Sequence, residues 1–220
     1  MELNNYDRTA SFYDFLSRAV FFRAQLNAQI DQLPFIPAGS KVLIVGGGTG
    51  WILEELAKRH NGGLDITYME ISGKMLEKSK RRNLGENRVT FIRSGVETFN
   101  TATVFDVVQT GFLFDNFSDA RIAQVFLKLH QLLRPGGLWL FSDFHFDPGK
   151  SPFWQGILLK IMYFFFRSLA HVEADHLSDM MPYFEGKKYQ LRTQEQYYRN
   201  FIQSKVFQKP AKIPTFRTNL

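Results

Sequence analysis

Gly46, Gly47, Gly48 and Gly50, followed twenty positions later by Glu70, are the residues whose types and spacing could do chemistry. The glycines close a short apolar run, Val42-Leu43-Ile44-Val45, of the kind expected of a strand buried on both faces. Behind them Trp51-Ile-Leu-Glu-Glu-Leu turns to helical spacing. A strand, a glycine turn and a helix start form a site for a nucleotide-like ligand, because glycine lets the backbone approach closely and the helix start offers unpaired N–H groups. Glu70 ends the next predicted strand, where a carboxylate can accept hydrogen bonds from both ribose hydroxyls of an adenosine. Its plainer alternative is a helix-capping acid, since Ser72 opens the following helix.

The spacing narrows the ligand. A dinucleotide loop needs a small residue at its third position, and counting from Gly46 or Gly48 puts Trp51 or Leu53 there. No Lys-Ser or Lys-Thr closes the loop, so it is not a phosphate loop of the nucleotide triphosphatases. What remains is G-x-G-x-G. A glycine turn that binds nothing is the bland alternative.

The elements that must position these groups can be read in order. Apolar residues recur every three or four positions from Phe12 to Ile30, so residues 1–33 are expected to form a helical cap, broken by Pro34, Pro37 and Gly39. A helix over about residues 51–58 stops at His60-Asn61-Gly62-Gly63. Strands are expected near residues 64–69, 89–93, 105–110 and 138–141, with helices at 74–82 and 118–133 between them. This alternation predicts an α/β fold, a doubly wound, Rossmann-like, mainly parallel sheet with helices on both faces. A helix is expected from about residue 194 to 204. Val206-Phe207 and residues 215–220 are the candidate strands of a closing hairpin, which would be incomplete.

Composition bounds the rest. The 220 residues are one domain's worth, 45% hydrophobic and 22% charged, with no cysteine. That excludes a thiolate metal site, a disulfide framework and a cysteine nucleophile, and no metal is expected. Net charge is +6, concentrated in residues 186–220, where eight Lys/Arg face the single acid Glu195. A solvated basic surface is the plain reading, peripheral contact with anionic lipid the sharper one, and nucleic acid is not favoured. The first fifteen residues have no basic segment before an apolar core, and residues 157–166 are too short to span a bilayer and carry Lys160. A cytoplasmic location is the expectation.

In order along the chain stand YDRTASFYD, VLIVGGGTG, YMEIS, SGVETF, FDVVQTGF and LLRPGGLWLFSDF. This series resembles the class I S-adenosylmethionine (SAM) methyltransferases, and among them the ubiquinone/menaquinone C-methyltransferase-like group. The resemblance implies an enzyme with SAM as cofactor and either C- or O-methyl transfer. It implies that Gly46, Gly48 and Gly50 wrap the methionine end and Glu70 holds the ribose. Ile71 would pack on adenine, Val96 and Glu97 would converge on the ligand at the carboxyl ends of the strands, the Thr110-Gly111 backbone would meet the amino group, and Tyr6 and Tyr13 would close over the ligand. Two positions depart from the pattern. Ile44 stands where an acid is usual, and Gly95 stands where an Asp commonly binds the adenine amino group, leaving Glu97 or Ser94 to substitute. Aminopropyltransferases of the spermidine synthase type share an apolar residue at that first position, but their acidic pair after the fourth strand is replaced here by neutral Gln109-Thr110-Gly111-Phe112.

Methyl transfer is an in-line displacement that rests on positioning, and a base is needed only when the acceptor must lose a proton. His145 and Asp115 are the catalytic candidates, with Asp143 nearby in sequence. The Phe- and Trp-rich stretch within residues 150–190 is expected to be a lid over a small, hydrophobic acceptor, quinone-precursor-like or lipid-like, with Met180 to Phe184 completing its wall. A core helix or homodimer interface is the alternative for that stretch. The alternative for the whole chain is a non-catalytic SAM- or nucleoside-binding protein.

Overall fold

A computed structural model of the chain describes residues 21, 23–147, 149–170, 174 and 176–211, without side-chain detail for 164–170. Seven strands form one sheet. They are β1 (Lys41–Val45), β2 (Gly62–Met69), β3 (Glu86–Ile92), β4 (Phe105–Gly111), β5 (Leu133–Phe144), β6 (Gln190–Tyr197) and β7 (Ile202–Gln208). Their order across the sheet is β3-β2-β1-β4-β5-β7-β6. The first five pair in parallel, while β7 runs antiparallel to β5 and to β6. Chain direction through the sheet reverses between β1 and β4, and open α/β sheets bind ligands beyond the carboxyl ends of strands at such a switch point.

The helices are α1 (Ala24–Ile30), α2 (Trp51–Arg59), α3 (Gly73–Ser79), α4 (Asp119–Leu132), α5 (Phe153–Ala170) and α6 (Met181–Gly186). Alternate residues of each strand point to opposite faces, so the core has two layers. On one face Leu43, Val45, Trp139, Phe141 and Phe207 meet Ile122, Val125, Phe126 and Leu129 of α4. On the other, Val42, Ile44, Ile66, Val107 and Leu140 meet Ile52, Leu53 and Leu56 of α2. The doubly wound expectation holds.

Three expectations need correction. The stretch predicted as a helix from residue 194 is largely β6 and the turn after it, and β6 pairs with β7 as a complete hairpin. Tyr198, Arg199 and Asn200 turn that hairpin with positive φ, so the strand end and turn gave no simple alternation to read. Met180 and Phe184 do not complete a lid wall. They lie in the core, with the Phe184 ring stacked 3.9 Å from that of Phe207. The basic tail is also partly interior. Lys205 is buried beside the sulfur of Met181, and Lys209 Nζ donates to the carbonyls of His130 and Leu133 at 2.6 Å, capping the end of α4.

Of the expected N-terminal cap, the described part is Phe21, α1 and a 3₁₀ turn at Leu33–Phe35. The Ala28 carbonyl accepts from the Ser142 and Ser204 hydroxyls, and Gln32 Nε2 donates to the Phe141 carbonyl at 2.7 Å. These bonds fix α1 over β5 and β7 beside the switch point.

Candidate functional site

The glycine loop is shaped by its neighbours. Gly46 and Gly47 both donate to the Met69 carbonyl, at 2.9 and 3.2 Å, which folds the loop back on the end of β2. Gly46, Gly48 and Gly50 have φ of 66°, 63° and 79°, a left-handed backbone that side chains rarely adopt. Gly47 is glycine for a different reason, since a Cβ there would meet the Tyr68 ring at 2.3 Å. The Tyr68 hydroxyl donates to the Gly48 carbonyl at 2.9 Å, and burial together with the Glu70 charge keeps that phenol protonated. Gly50 is the N-cap of α2.

Glu70 is 4% exposed. One of its oxygens accepts from the Gly48 N–H and the other from the Ser72 N–H, both at 2.8 Å. Ser72 is in turn the N-cap of α3, its hydroxyl accepting from the Met75 amide. The acid therefore joins the loop to the start of a helix, so the capping geometry and the carboxylate placed for a ligand occur in one residue.

A cleft opens above these groups. Its wall includes Gly46, Gly48, Glu70, Ile71, Val96 and Gly111 from the expected set. Gly50, Glu97 and Thr110 stand outside that wall. Glu97 is paired with Arg121, whose guanidinium lies 4.3 Å over the Phe117 ring. The Thr110 hydroxyl accepts from Trp139 Nε1 at 2.9 Å. Tyr6 and Tyr13 lie outside the described residues. The two positions that depart from the family pattern, Ile44 and Gly95, both line the cleft.

His145 and Asp115 do not line the cleft. His145 donates its amide to the Phe201 carbonyl, and burial and then Lys205 hold its imidazole below the usual range, with Asp179 and Asp147 opposing. Asp115 sits in the 3₁₀ turn Phe114–Asn116 beside two wall residues, Leu113 and Asn116, and its Oδ1 accepts from Asn116 Nδ2 at 2.7 Å. Burial pushes its carboxyl up to about 7. Asp143, 2% exposed, takes the Phe114 and Phe144 amides, and burial together with the Asp115 charge raises it well above the carboxylate range. Among the described residues Glu70 and Arg121 are the ionisable side chains that line the cleft, and no group of His, Asp and Glu could hold a metal ion.

Several wall residues were not anticipated. Gln25, Leu26 and Gln29 come from α1, and Phe112, Leu113, Asn116 and Phe117 from the turn after β4. Phe112 has φ 53°, a left-handed conformation that costs a bulky residue energy and is tolerated mostly at functional sites. Gln109, 1% exposed, lines the cleft with both side-chain polar atoms unpaired. A sequence signal for it existed, since Gln109 is a polar residue directly after the apolar pair Val107-Val108 in a central strand.

The wall is thus apolar at Ile71, Met75 and Val96, anionic at Glu70, and rich in backbone N–H and carboxamide groups towards β4 and α1. That combination suits a ligand with a flat apolar end, a hydroxylated middle and a zwitterionic end. SAM has all three.

Comparison with known proteins points the same way. Residues 42–137 match the model of a methyltransferase domain. The ubiquinone/menaquinone biosynthesis C-methyltransferase UbiE of Geotalea daltonii is 26% identical over 168 residues, covering 73% of this chain and 67% of the relative. An uncharacterized methyltransferase of Geobacillus kaustophilus is 30% identical over 156 residues, covering 70% of this chain and 67% of the relative. The crystal structure of the Burkholderia thailandensis 1,6-didemethyltoxoflavin-N1-methyltransferase, with 1,6-didemethyltoxoflavin and S-adenosylhomocysteine bound, is similar with a TM-score of 0.62 and 15% identity, over 91% of this chain and 88% of that one.

Proposed function

The chain belongs to the class I SAM-dependent methyltransferases, and on that premise we propose that it methylates a small, hydrophobic acceptor at the α1 and Phe112 side of the cleft. The observation that carries this reading is Phe112. It follows β4 directly, lines the cleft in a left-handed conformation, and packs its ring 5.0 Å from Phe144 within an apolar cluster that includes Leu159 and Met162 of α5. An acceptor entering there meets aromatic and aliphatic surface. Helix α5 is the lid of this proposal. One side of it joins that cluster, while Phe153, Ile157 and Ile161, spaced four apart, are exposed on the other.

The residues take these roles. The backbone of Gly46 and Gly48 and the carboxylate of Glu70 bind and orient the donor, with each Glu70 oxygen able to accept a ribose hydroxyl beside the amide it already holds. Ile71 and Val96 cover the adenine faces. Gly111 allows Gln29 to pack against β4, since a Cβ there would lie 2.4 Å from Gln29 Oε1. Bound SAM supplies an electrophilic methyl group on a sulfonium. The protein contributes alignment and exclusion of water, which carry much of the rate of such a displacement. Where the acceptor must lose a proton, Asp115 is the base, because it adjoins the wall and its proton affinity lies near neutrality.

The C-methyltransferase named among its relatives acts in ubiquinone and menaquinone biosynthesis, and a quinol or phenol is the acceptor class this reading favours. The test is S-adenosylhomocysteine release and product mass with SAM and a panel of quinols, phenols, lipid-like alcohols and polar amines. Turnover on the apolar acceptors, reduced at least tenfold by Phe112→Ala, is expected. Transfer to polar amines alone would overturn the acceptor assignment.

A further inference from the structure

We infer that Gln109 is the residue that recognises the amino-acid end of the methyl donor, in a chain where Ile44 stands at the position an acid usually holds. Its position starts the argument. Ile44 and Gln109 are register partners on the parallel strands β1 and β4, so their side chains lie side by side on one face. Both line the cleft. The neighbours on that face, Val42, Ile66, Val107 and Leu140, are apolar, so Gln109 is a polar side chain on a hydrophobic layer.

Its hydrogen bonding makes the position unusual. Gln109 is 1% exposed, and neither its Oε1 nor its Nε2 has a partner. A buried carboxamide without partners is destabilising, and native structures leave very few of them. Gln32 and Gln155, the other described glutamines with an unpaired buried oxygen, each use their Nε2 in a bond to a backbone carbonyl. Gln109 uses neither atom. A valine or leucine would fit the layer and avoid the penalty, so the carboxamide is explained by a ligand.

The ligand's chemistry follows from what a carboxamide can do. It donates from one side and accepts on the other, which matches an α-amino acid carrying an ammonium and a carboxylate at one carbon. The direction of the cleft agrees. Ile71, Ser94 and Val96 lie at the β2 and β3 end, Glu70 beside the loop, and Gln109 at the β4 end. A donor with adenine at the first and ribose at the second places its third part against Gln109. The inference rests on the placement of the donor proposed above.

Calorimetry of the full chain with S-adenosylhomocysteine and with 5′-methylthioadenosine, which lacks the amino-acid end, is the test. In Gln109→Met, similar in shape and unable to form these bonds, S-adenosylhomocysteine affinity is expected to fall about tenfold to a hundredfold, the scale of hydrogen bonds to charged groups. Affinity for 5′-methylthioadenosine is expected to stay within about twofold of the parent. Without ligand the variant should unfold at an equal or higher temperature, because an unpaired polar group has been removed. Gln109→Leu repeats the test with a second apolar side chain and guards against a packing artefact. Equal losses for both ligands, or no loss for either, would overturn the role of Gln109. Failure of the parent chain to bind either ligand would instead overturn the donor placement itself.

Discussion

The Glu70 carboxylate and the Gly48 amide are 2.8 Å apart, a contact that ties the end of β2 to the crest of the glycine loop. The same side chain accepts the Ser72 amide, so it organises the cleft floor before any ligand enters. Glu70→Ala removes the acceptors of a buried and a half-buried N–H group as well as the carboxylate proposed for the ribose. S-adenosylhomocysteine binding should weaken by about 1–3 kcal/mol, the scale for unpairing hydrogen-bonded polar groups. Calorimetry measures it, and an unchanged affinity would remove Glu70 from the donor site.

Gly47 and Tyr68 form a steric lock. A Cβ at Gly47 would lie 2.3 Å from a ring that is fully buried and held by its hydroxyl to Gly48. Gly47→Ala should therefore cost about 1–3 kcal/mol of stability, as overpacking of a core does. Combined with Tyr68→Leu, which vacates the ring's space, the alanine should cost much less than it does alone. Denaturant unfolding of the four proteins in the cycle reads the coupling, and strict additivity would refute the lock.

Asp115 and Asp143 predict a pH dependence of stability. An unfolded aspartate titrates near ~4, whereas burial lifts Asp115 to about 7 and burial with the Asp115 charge lifts Asp143 well above its ordinary range. Above the unfolded value the native state binds more protons than the unfolded chain, so this pair lowers stability as pH rises from ~4 through 7. Below ~4 both states are protonated and the penalty is absent. Asp143→Asn removes one charge of the pair but accepts the Phe114 and Phe144 amides less well. The difference in unfolding free energy between variant and parent should shift in the variant's favour from pH 5 to pH 8. A difference independent of pH would contradict it.

Much of the architecture was legible because it rests on local signals. A continuous apolar run marked β1 and shorter apolar stretches marked the other four parallel strands, while glycine stops marked the ends of the loop helices, since buried strand positions need apolar residues and a helix end needs a residue that turns. The hairpin of β6 and β7 was not legible. Gln190 to Tyr197 is polar and mostly exposed along an edge strand, where no buried face imposes alternation. Met180 and Phe184 looked like lid residues because aromatic content alone does not say which side of the sheet an element reaches.

The sequence by itself determined the nucleotide-type loop, the acid that follows it, the order of the first five strands and the family, all of which depend on residue type and spacing. Only the tertiary structure decided which groups share the cleft. It turned the Thr110 hydroxyl to Trp139, left His145 out of the wall, and brought α1 over β5 and β7 beside the switch point. It also set Gln109 beside Ile44, across 65 residues of chain, because parallel strands distant in sequence are brought into register only when the sheet forms.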